Sequence, residues 1–445
     1  MSLSQPAHAN RTDLERPPVK IALLGCGTVG AGVAQLLLQQ ADAIAAKAGR
    51  SFALAGIAVR SADKPRPTFV PPWLFTTAAS ALVDDPDVGL VIECIGGLST
   101  AGELVERALS RGKHVVTANK DLLATYGPAL RSLAAARGVG IAYEAAVGGA
   151  IPIVRTLTGA LAGERIIEVG GVLNGTTNFI LDAMSKGAAY ADALGQAQRD
   201  GYAEADPSSD TSGLDAAHKL AILSQLAFAR AVTTGDVPRV GIESVTRDDV
   251  SLARRLGLTL KLIAVARDGE ATVAPTYVPR EHPFGTPAGV HNCIRVVGAT
   301  AGTLTFAGAG AGREPTASAV IADVIATLAA IGRGAGAGDG EQLRPGATLK
   351  ALPLRRLVRV SSFRDARPAL DALAHAGIAG DLVDGAPAVL TRSPADTQGI
   401  GAALAARDIV PESAFGLWED VPARPLPQAF SLGSDISLPA TERNT

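Results

Sequence analysis

The chain has 445 residues, enough for about two or three domains with a sizeable core. Hydrophobic residues make up 47% and charged residues only 19%, which excludes a chain that is disordered throughout. A formal net charge of −2 excludes the basic excess that nucleic acid or an anionic membrane surface calls for.

Residues 1–17 are polar and lack the apolar core of a secretory signal, so a flexible arm is expected there. No apolar run reads as long enough to cross a bilayer. Cys26, Cys94 and Cys293 are too far apart for a metal knuckle or a disulfide ladder. That usage fits a reducing cytoplasm, with Cys26 and Cys94 packing as small apolar groups.

Residues 19–24 form a short apolar run that stops at Gly25-Cys26-Gly27-Thr28-Val29-Gly30, and residues 33–44 read as a helix. Strand, glycine-rich turn and helix in that order are the signature of a dinucleotide site. Gly25 permits the tight turn, Gly27 lets the backbone approach a pyrophosphate, and Gly30 lets helix and strand pack closely. The helix N-terminus offers its free N–H groups to the phosphates. The next strand, residues 52–59, ends at Arg60 with Lys64 nearby, where an NAD site carries an acid. Cations at that place favour a 2′-phosphate, hence NADP(H) over NAD(H). A solvated loop arginine is the alternative.

Residues 88–95 read as a buried strand ending in Gly96 and Gly97, with Gly96 taken as a further cofactor contact and Ser99 as a helix cap. A helix to about residue 110 follows, and then a strand over residues 113–120. Lys120 falls at its carboxyl end, the edge where open α/β sheets bind ligands. Surface decoration is the other reading of that lysine. A helix to about residue 137 and a strand over 139–144 complete a doubly wound parallel sheet from about residue 18 to 148.

Residues 144–152 are glycine-rich beside one carboxylate, Glu144, which suits a tight turn or a hard monovalent cation. Residues 170–181 join an apolar strand to the polar turn Asn174-Gly175-Thr176-Thr177-Asn178, able to cap a helix or bind a polar substrate. Next come Glu204, Asp210, Asp215 and Lys219. Asp215 and Lys219 are four apart and share one helical face. Three acids and an ammonium are expected to converge there, with burial lowering the lysine pKa toward neutrality. An ordinary surface ion pair would have the same spacing.

These segments resemble homoserine dehydrogenase in order and spacing. The resemblance is carried by residues 25–30, 116–120, 143–152, 171–181 and 201–223, and by Gly308-Ala309-Gly310-Ala311-Gly312 with residues 315–320. It covers about residues 18–335. With no kinase-like stretch ahead of it, the monofunctional form is expected. The resemblance implies reversible reduction of L-aspartate 4-semialdehyde to L-homoserine by NAD(P)H. It implies Lys219 as proton donor and Lys120 as a second active-site lysine near the cofactor. Glu204 and Asp215 would hold the substrate's polar end, supported by Asp210, and Thr28, Val29 and Gly310 would touch the cofactor. It also implies a monovalent cation, sodium or potassium, on the carbonyls of Val147, Gly149 and Ile151 beside Glu144, and a homodimer or homotetramer. The residue chemistry agrees: hydride delivery leaves an alkoxide that needs a positioned acid.

Beyond a glycine-rich linker at 332–338, residues 354–360, 387–391 and 409–417 read as strands, and 366–376 and 397–407 as helices. The order resembles the βαββαβ of an ACT regulatory domain. Asp365-Ala366-Arg367-Pro368 replaces the Pro-Gly-Val-Leu-like stretch that such domains carry, which leaves a packing or dimerisation module equally open. The expected organisation is therefore an arm (1–17), a Rossmann domain (18–148), an α+β catalytic and dimerisation domain (149–332), an ACT-like domain (350–421) and a flexible tail (422–445).

Overall fold

The structure is a computed structural model, and it describes residues 16–61, 63–333, 343–344, 346 and 348–420. Most of the expected arm and linker, and all of the tail, lie outside the described residues.

Six parallel strands form the first sheet, in the order β3-β2-β1-β4-β5-β6. They are β1 (Val19–Leu24), β2 (Phe52–Ala58), β3 (Phe75–Thr76), β4 (Val88–Glu93), β5 (His114–Thr117) and β6 (Ile141–Ala142). Ile21, Leu23, Leu90 and Ile92 are fully buried, as near-continuous apolar strands covered on both faces require. The helices between them are α1 (Thr28–Gln39), α2 (Ala41–Ala48), α3 (Ala79–Asp84), α4 (Ser99–Ser110) and α5 (Lys120–Ala136). The order in which successive strands are added reverses between β1 and β4, which stay parallel, so their following loops open a crevice at the carboxyl edge.

Three local expectations are corrected. The helix read at 33–44 begins at Thr28 and breaks at Gln40 into α1 and α2. Ser99 is the first residue of α4 and caps nothing. Lys120 opens α5 and is not part of the strand, because Asn119 accepts from the Leu122 N–H at 3.1 Å and caps the helix one residue earlier.

The second sheet runs β11-β10-β7-β8-β9-β16-β13-β15-β14, with β12 also on β9. Its first part is β7 (Ile166–Val172), β8 (Leu258–Arg267), β9 (Glu270–Pro279), β10 (His291–Gly298) and β11 (Gly302–Ala309), joined antiparallel. Val169, Leu262, Ala264, Ile294 and Val296 belong to the main core with the helices on one face. Those helices include α7 (Gly175–Ser185), α8 (Tyr190–Arg199), α10 (Leu214–Phe228) and α11 (Arg247–Arg255), with the short α6 (Ile153–Arg155) and α9 (Ser208–Thr211) between them. On the other face Val172, Ile263, Val265 and Cys293 pack with Phe284, Leu352 and Trp418.

The helix α12 (Arg313–Arg333) returns to the first sheet, where Ala317, Val320 and Val324 join the core built around Val33 and Leu37. Residues 313–331 are long and apolar enough to cross a bilayer, contrary to the sequence reading. Here that apolarity serves packing, since the would-be Cβ of Gly32 on α1 lies 3.0 Å from the Ala317 methyl.

The carboxyl-terminal strands β12 (Lys350–Ala351), β13 (Arg355–Arg359), β14 (Gly380–Leu382), β15 (Ala388–Thr391) and β16 (Ser413–Leu417) alternate with α13 (Phe363–His375) and α14 (Thr397–Ala405). From β13 onward this is a βαββαβ unit with strand order β16-β13-β15-β14. It is continuous with the first part of the second sheet, because β16 pairs parallel with β9. Arg359 bonds the buried Asp249 of α11 at 2.8 Å, and Trp418 is 2% exposed against Phe284. A buried aromatic of that size stabilises by about 2–3 kcal/mol.

Candidate active site

Gly25 adopts φ +97°, where a Cβ would sit 2.6 Å from the Cys94 carbonyl oxygen, so the loops after β1 and β4 touch. A Cβ at Gly30 would lie 2.1 Å from the Gly25 carbonyl oxygen. Gly27 differs: it is the N-cap of α1, no side chain caps the helix, and a Cβ there would meet nothing within 4 Å. Open space in front of uncapped N–H groups fits a pyrophosphate. Thr28 and Val29 form the first turn of α1.

Arg60 and Lys64 are exposed past the end of β2 and form no ion pair among the described residues. Sequence reasoning missed two further guanidinium groups. Burial raises the Cys26 thiol pKa, while Arg66 and Arg313 act on it in the opposite sense, which puts both near the glycine loop. Arg313 donates to Gln35 of α1 at 2.8 Å, and Arg66 stacks over Phe75 at 5.5 Å.

Glu93 was also missed, hidden inside an apolar strand. It is fully buried, and one carboxylate oxygen accepts from the Ile95 and Gly96 N–H groups at 2.7 and 2.9 Å. The other accepts from Thr117 Oγ1 at 2.5 Å. Glu93 thereby braces the turn where Gly96 and Gly97 adopt φ +79° and +75°.

Lys120 carries this edge toward the second half of the molecule. Its Nζ lies 3.3 Å from Asp215 Oδ1. Burial works to lower the Lys120 pKa, but Asp215, Asp121 and Asp210 outweigh it and raise it above the ordinary lysine value. A second tie joins α5 to α10, with His218 Nδ1 2.8 Å from Asp121 Oδ1.

Asp215 stands in the first turn of α10, where the helix dipole favours a negative charge. Its Oδ2 accepts from Lys219 Nζ at 2.7 Å and from Asn174 Nδ2 at 2.8 Å. Burial opposes its ionisation, yet Lys219 and Lys120 hold the carboxyl far below the usual carboxylate range. Lys219 is 7% exposed and also donates to the Leu173 carbonyl at 2.8 Å.

Asn174 caps α7 through the Thr177 N–H at 2.8 Å and also donates to Asp210 Oδ1 at 2.6 Å. The Asp210 pKa is raised, first by burial and then by Asp215, against the bond from Asn174. The first reading of the polar turn, a helix cap, is thus met by Asn174, and the same side chain ties Asp210 to Asp215. Glu204 is not part of the cluster. Its side chain is exposed on the segment between α8 and α9 and makes no hydrogen bond or ion pair among the described residues.

Of the three predicted acids, Asp215 therefore meets both predicted lysines directly, and Asp210 joins them through Asn174. Asn292 was missed. It is 1% exposed and donates from Nδ2 at 2.9 Å to the Leu173 carbonyl that also accepts from Lys219. A lone asparagine in a strand carries no sequence signal; only the fold brings it there.

The turn after β6 is buried. Glu144 accepts from the N–H groups of Val154 and Arg155 at 2.9 and 2.8 Å, so its carboxylate caps α6. Its pKa is raised by burial. The Val147 and Gly149 carbonyls accept no hydrogen bond among the described residues, whereas that of Ile151 accepts from Ile153 at 2.8 Å. Unpaired buried carbonyls beside a carboxylate fit a hard monovalent cation. A Cβ at Gly149 would lie 2.7 Å from the Gly310 carbonyl carbon, which sets this turn against the loop between β11 and α12.

Comparison with known proteins matches residues 25–144 to the homoserine dehydrogenase NAD-binding domain and residues 152–325 to the homoserine dehydrogenase domain. A homoserine dehydrogenase of Synechocystis is 46% identical over 316 residues, covering 69% of this chain and 72% of its own. The crystal structure of a homoserine dehydrogenase from Thiobacillus denitrificans superposes with a TM-score of 0.84 at 37% identity, over 91% of this chain and 99% of that one. A hyperthermophilic archaeal homoserine dehydrogenase in complex with NADPH gives a TM-score of 0.61 at 27% identity, over 70% of this chain and 98% of that one.

Proposed function

The chain belongs to the homoserine dehydrogenase family, and from that premise we propose that it reduces L-aspartate 4-semialdehyde reversibly to L-homoserine, with Lys219 as the proton donor. The single observation that carries this reading is the Asp215 carboxylate shared by Lys219 at 2.7 Å and Lys120 at 3.3 Å. It joins a buried ammonium of the second half to the carboxyl edge of the nucleotide sheet.

Bound NAD(P)H supplies the hydride to the aldehyde carbon. The oxygen of that aldehyde gains negative charge, and Lys219 stabilises it and then gives it a proton. Asp215 aims the lysine, and the Leu173 carbonyl fixes its second direction. Lys120 adds positive charge on the cofactor side. Asp210 and Asp215, with Glu204 swinging in from the exposed segment, receive the substrate ammonium.

In the same reading Gly25, Gly27, Thr28, Val29, Gly30, Gly96 and Gly310 line the cofactor. Arg60 and Lys64 give a preference for NADP(H), supported by an exposed cation where β2 ends and by the lack of an ion pair to either side chain among the described residues. A sodium or potassium ion would be held by the carbonyls of Val147, Gly149 and Ile151 beside Glu144 and would order the turn. The βαββαβ unit is an ACT-like module, and the protein works in the cytoplasm as a homo-oligomer in the biosynthesis of threonine, methionine and isoleucine. The test is to mix purified protein, NADPH and aspartate semialdehyde and follow the reduced nicotinamide absorbance. Loss that needs both protein and aldehyde is expected; no loss at any substrate concentration refutes the reading.

A further inference from the structure

Among the described residues, Asn292 is a buried amide of the site whose two ends are treated differently. Its Nδ2 bonds the Leu173 carbonyl, but its Oδ1 is buried and has no hydrogen-bond partner among the described residues. Turning the amide over would set Oδ1 against the Leu173 oxygen, acceptor to acceptor, so the chemistry of its neighbour fixes the orientation. A buried acceptor left unpaired bears its full desolvation penalty, and native structures rarely leave one without a purpose.

The side chain is also held rigidly. Asn292 lies on the helix-facing side of β10, in register with Ile294 and Val296 of the main core. The segment before it is pinned by Asn178, whose Nδ2 donates to the carbonyls of Pro287, Gly289 and His291 at 3.2, 2.9 and 3.3 Å. Lys261 adds a bond to the Pro287 carbonyl at 2.6 Å. Gly310 presses on the amide from the other side, where a Cβ would lie 2.0 Å from Nδ2 and 2.5 Å from Oδ1.

We propose that Asn292 orients the nicotinamide ring, its Oδ1 accepting a hydrogen bond from the ring's carboxamide N–H while its Nδ2 holds the carbonyl that positions Lys219. This rests on the dehydrogenase reading above. Only the Leu173 oxygen separates Asn292 from the proton donor. The hydride source has to lie against the carbon whose oxygen Lys219 protonates, so the ring belongs in this corner. A neutral amide oxygen suits a neutral N–H donor, and the substrate ammonium has the carboxylates of Asp210 and Asp215 close by. The loop of Gly310 also leads into α12, which packs on the cofactor helix α1. Holding the carboxamide fixes the rotation of the ring, and with it the direction in which its reactive carbon faces.

The test uses NADP⁺ and its 3-acetylpyridine analogue, in which a methyl ketone replaces the carboxamide and cannot donate. Dissociation constants are measured calorimetrically for the wild type and Asn292→Ala. The wild type is expected to bind NADP⁺ about tenfold more tightly than the analogue, and the variant to bind both within about twofold, having lost affinity for NADP⁺ alone. The wild-type arm needs no variant to fold. A variant that keeps the wild-type preference overturns the proposal, as does one that loses affinity for both ligands equally. A raised KM for homoserine with unchanged discrimination gives Oδ1 to the substrate and also overturns it. A wild type that binds neither dinucleotide sinks the dehydrogenase reading itself, a distinct result.

Discussion

Replacing Asp215 with asparagine keeps the side chain's shape and removes its charge. Lys219 then loses its counter-charge at 2.7 Å in a site where it is 7% exposed. Removing one partner of a buried ion pair costs about 3–5 kcal/mol. At about 1.4 kcal/mol per factor of ten, that cost corresponds to at least about a 100-fold loss in the fraction of molecules that hold the donor ready. Reduction of the aldehyde needs that donor, so kcat for NADPH-dependent reduction falls about 100-fold or more in Asp215→Asn. The assay is kcat for reduction, measured beside the NADPH dissociation constant, which stays within about twofold of wild type because the carboxylate acts on the donor and not on the dinucleotide. A kcat within about twofold of wild type would refute the claim that this carboxylate governs the donor.

The glycine loop separates folding from binding. Gly27→Ala has nothing within 4 Å to meet and should melt like wild type while NADPH affinity drops at least tenfold; Gly30→Ala puts a methyl 2.1 Å from a backbone oxygen and should lower Tm sharply. A calorimetric scan paired with a fluorescence titration reads both. Arg60→Ala should raise KM for NADPH about tenfold and that for NADH less than twofold; equal responses mean that this arginine reads no phosphate. Asp210→Asn should raise KM for homoserine about tenfold and also raise Tm at neutral pH. The Asp210 pKa is raised by burial in the folded state, so its native contribution is present below the unfolded carboxylate pKa and is lost as pH rises through the folded value. The Tm gain should therefore vanish near pH 3, and a gain independent of pH would contradict the assignment.

Local features of this fold were legible where chemistry and spacing coincide within a few residues. The strand, glycine turn and helix at residues 19–39 announce themselves because three glycines each have a separate steric duty. Asp215 and Lys219 are readable because four residues make one helical turn. Asn292 and Leu173 are 119 residues apart, so no window of sequence contains both. Glu93 reads as a polar interruption in an apolar strand until the turn that it braces is seen. Glu204 follows the motif in sequence yet stands on an exposed segment, because the chain between α8 and α9 turns outward before α10 begins. The joining of β16 to β9 was equally unreadable, since parallel pairing across 140 positions leaves no periodic trace.

The central claim is that Lys219 performs the proton transfer and does not merely hold the fold. Single-turnover oxidation of enzyme-bound NADPH by aspartate semialdehyde, measured for Lys219→Ala beside the NADPH dissociation constant, tests it most directly. The account predicts a rate at least about 1,000-fold below wild type, with NADPH affinity within about twofold. Hydride transfer at close to the wild-type rate, or cofactor affinity lost in the same proportion as rate, would contradict it.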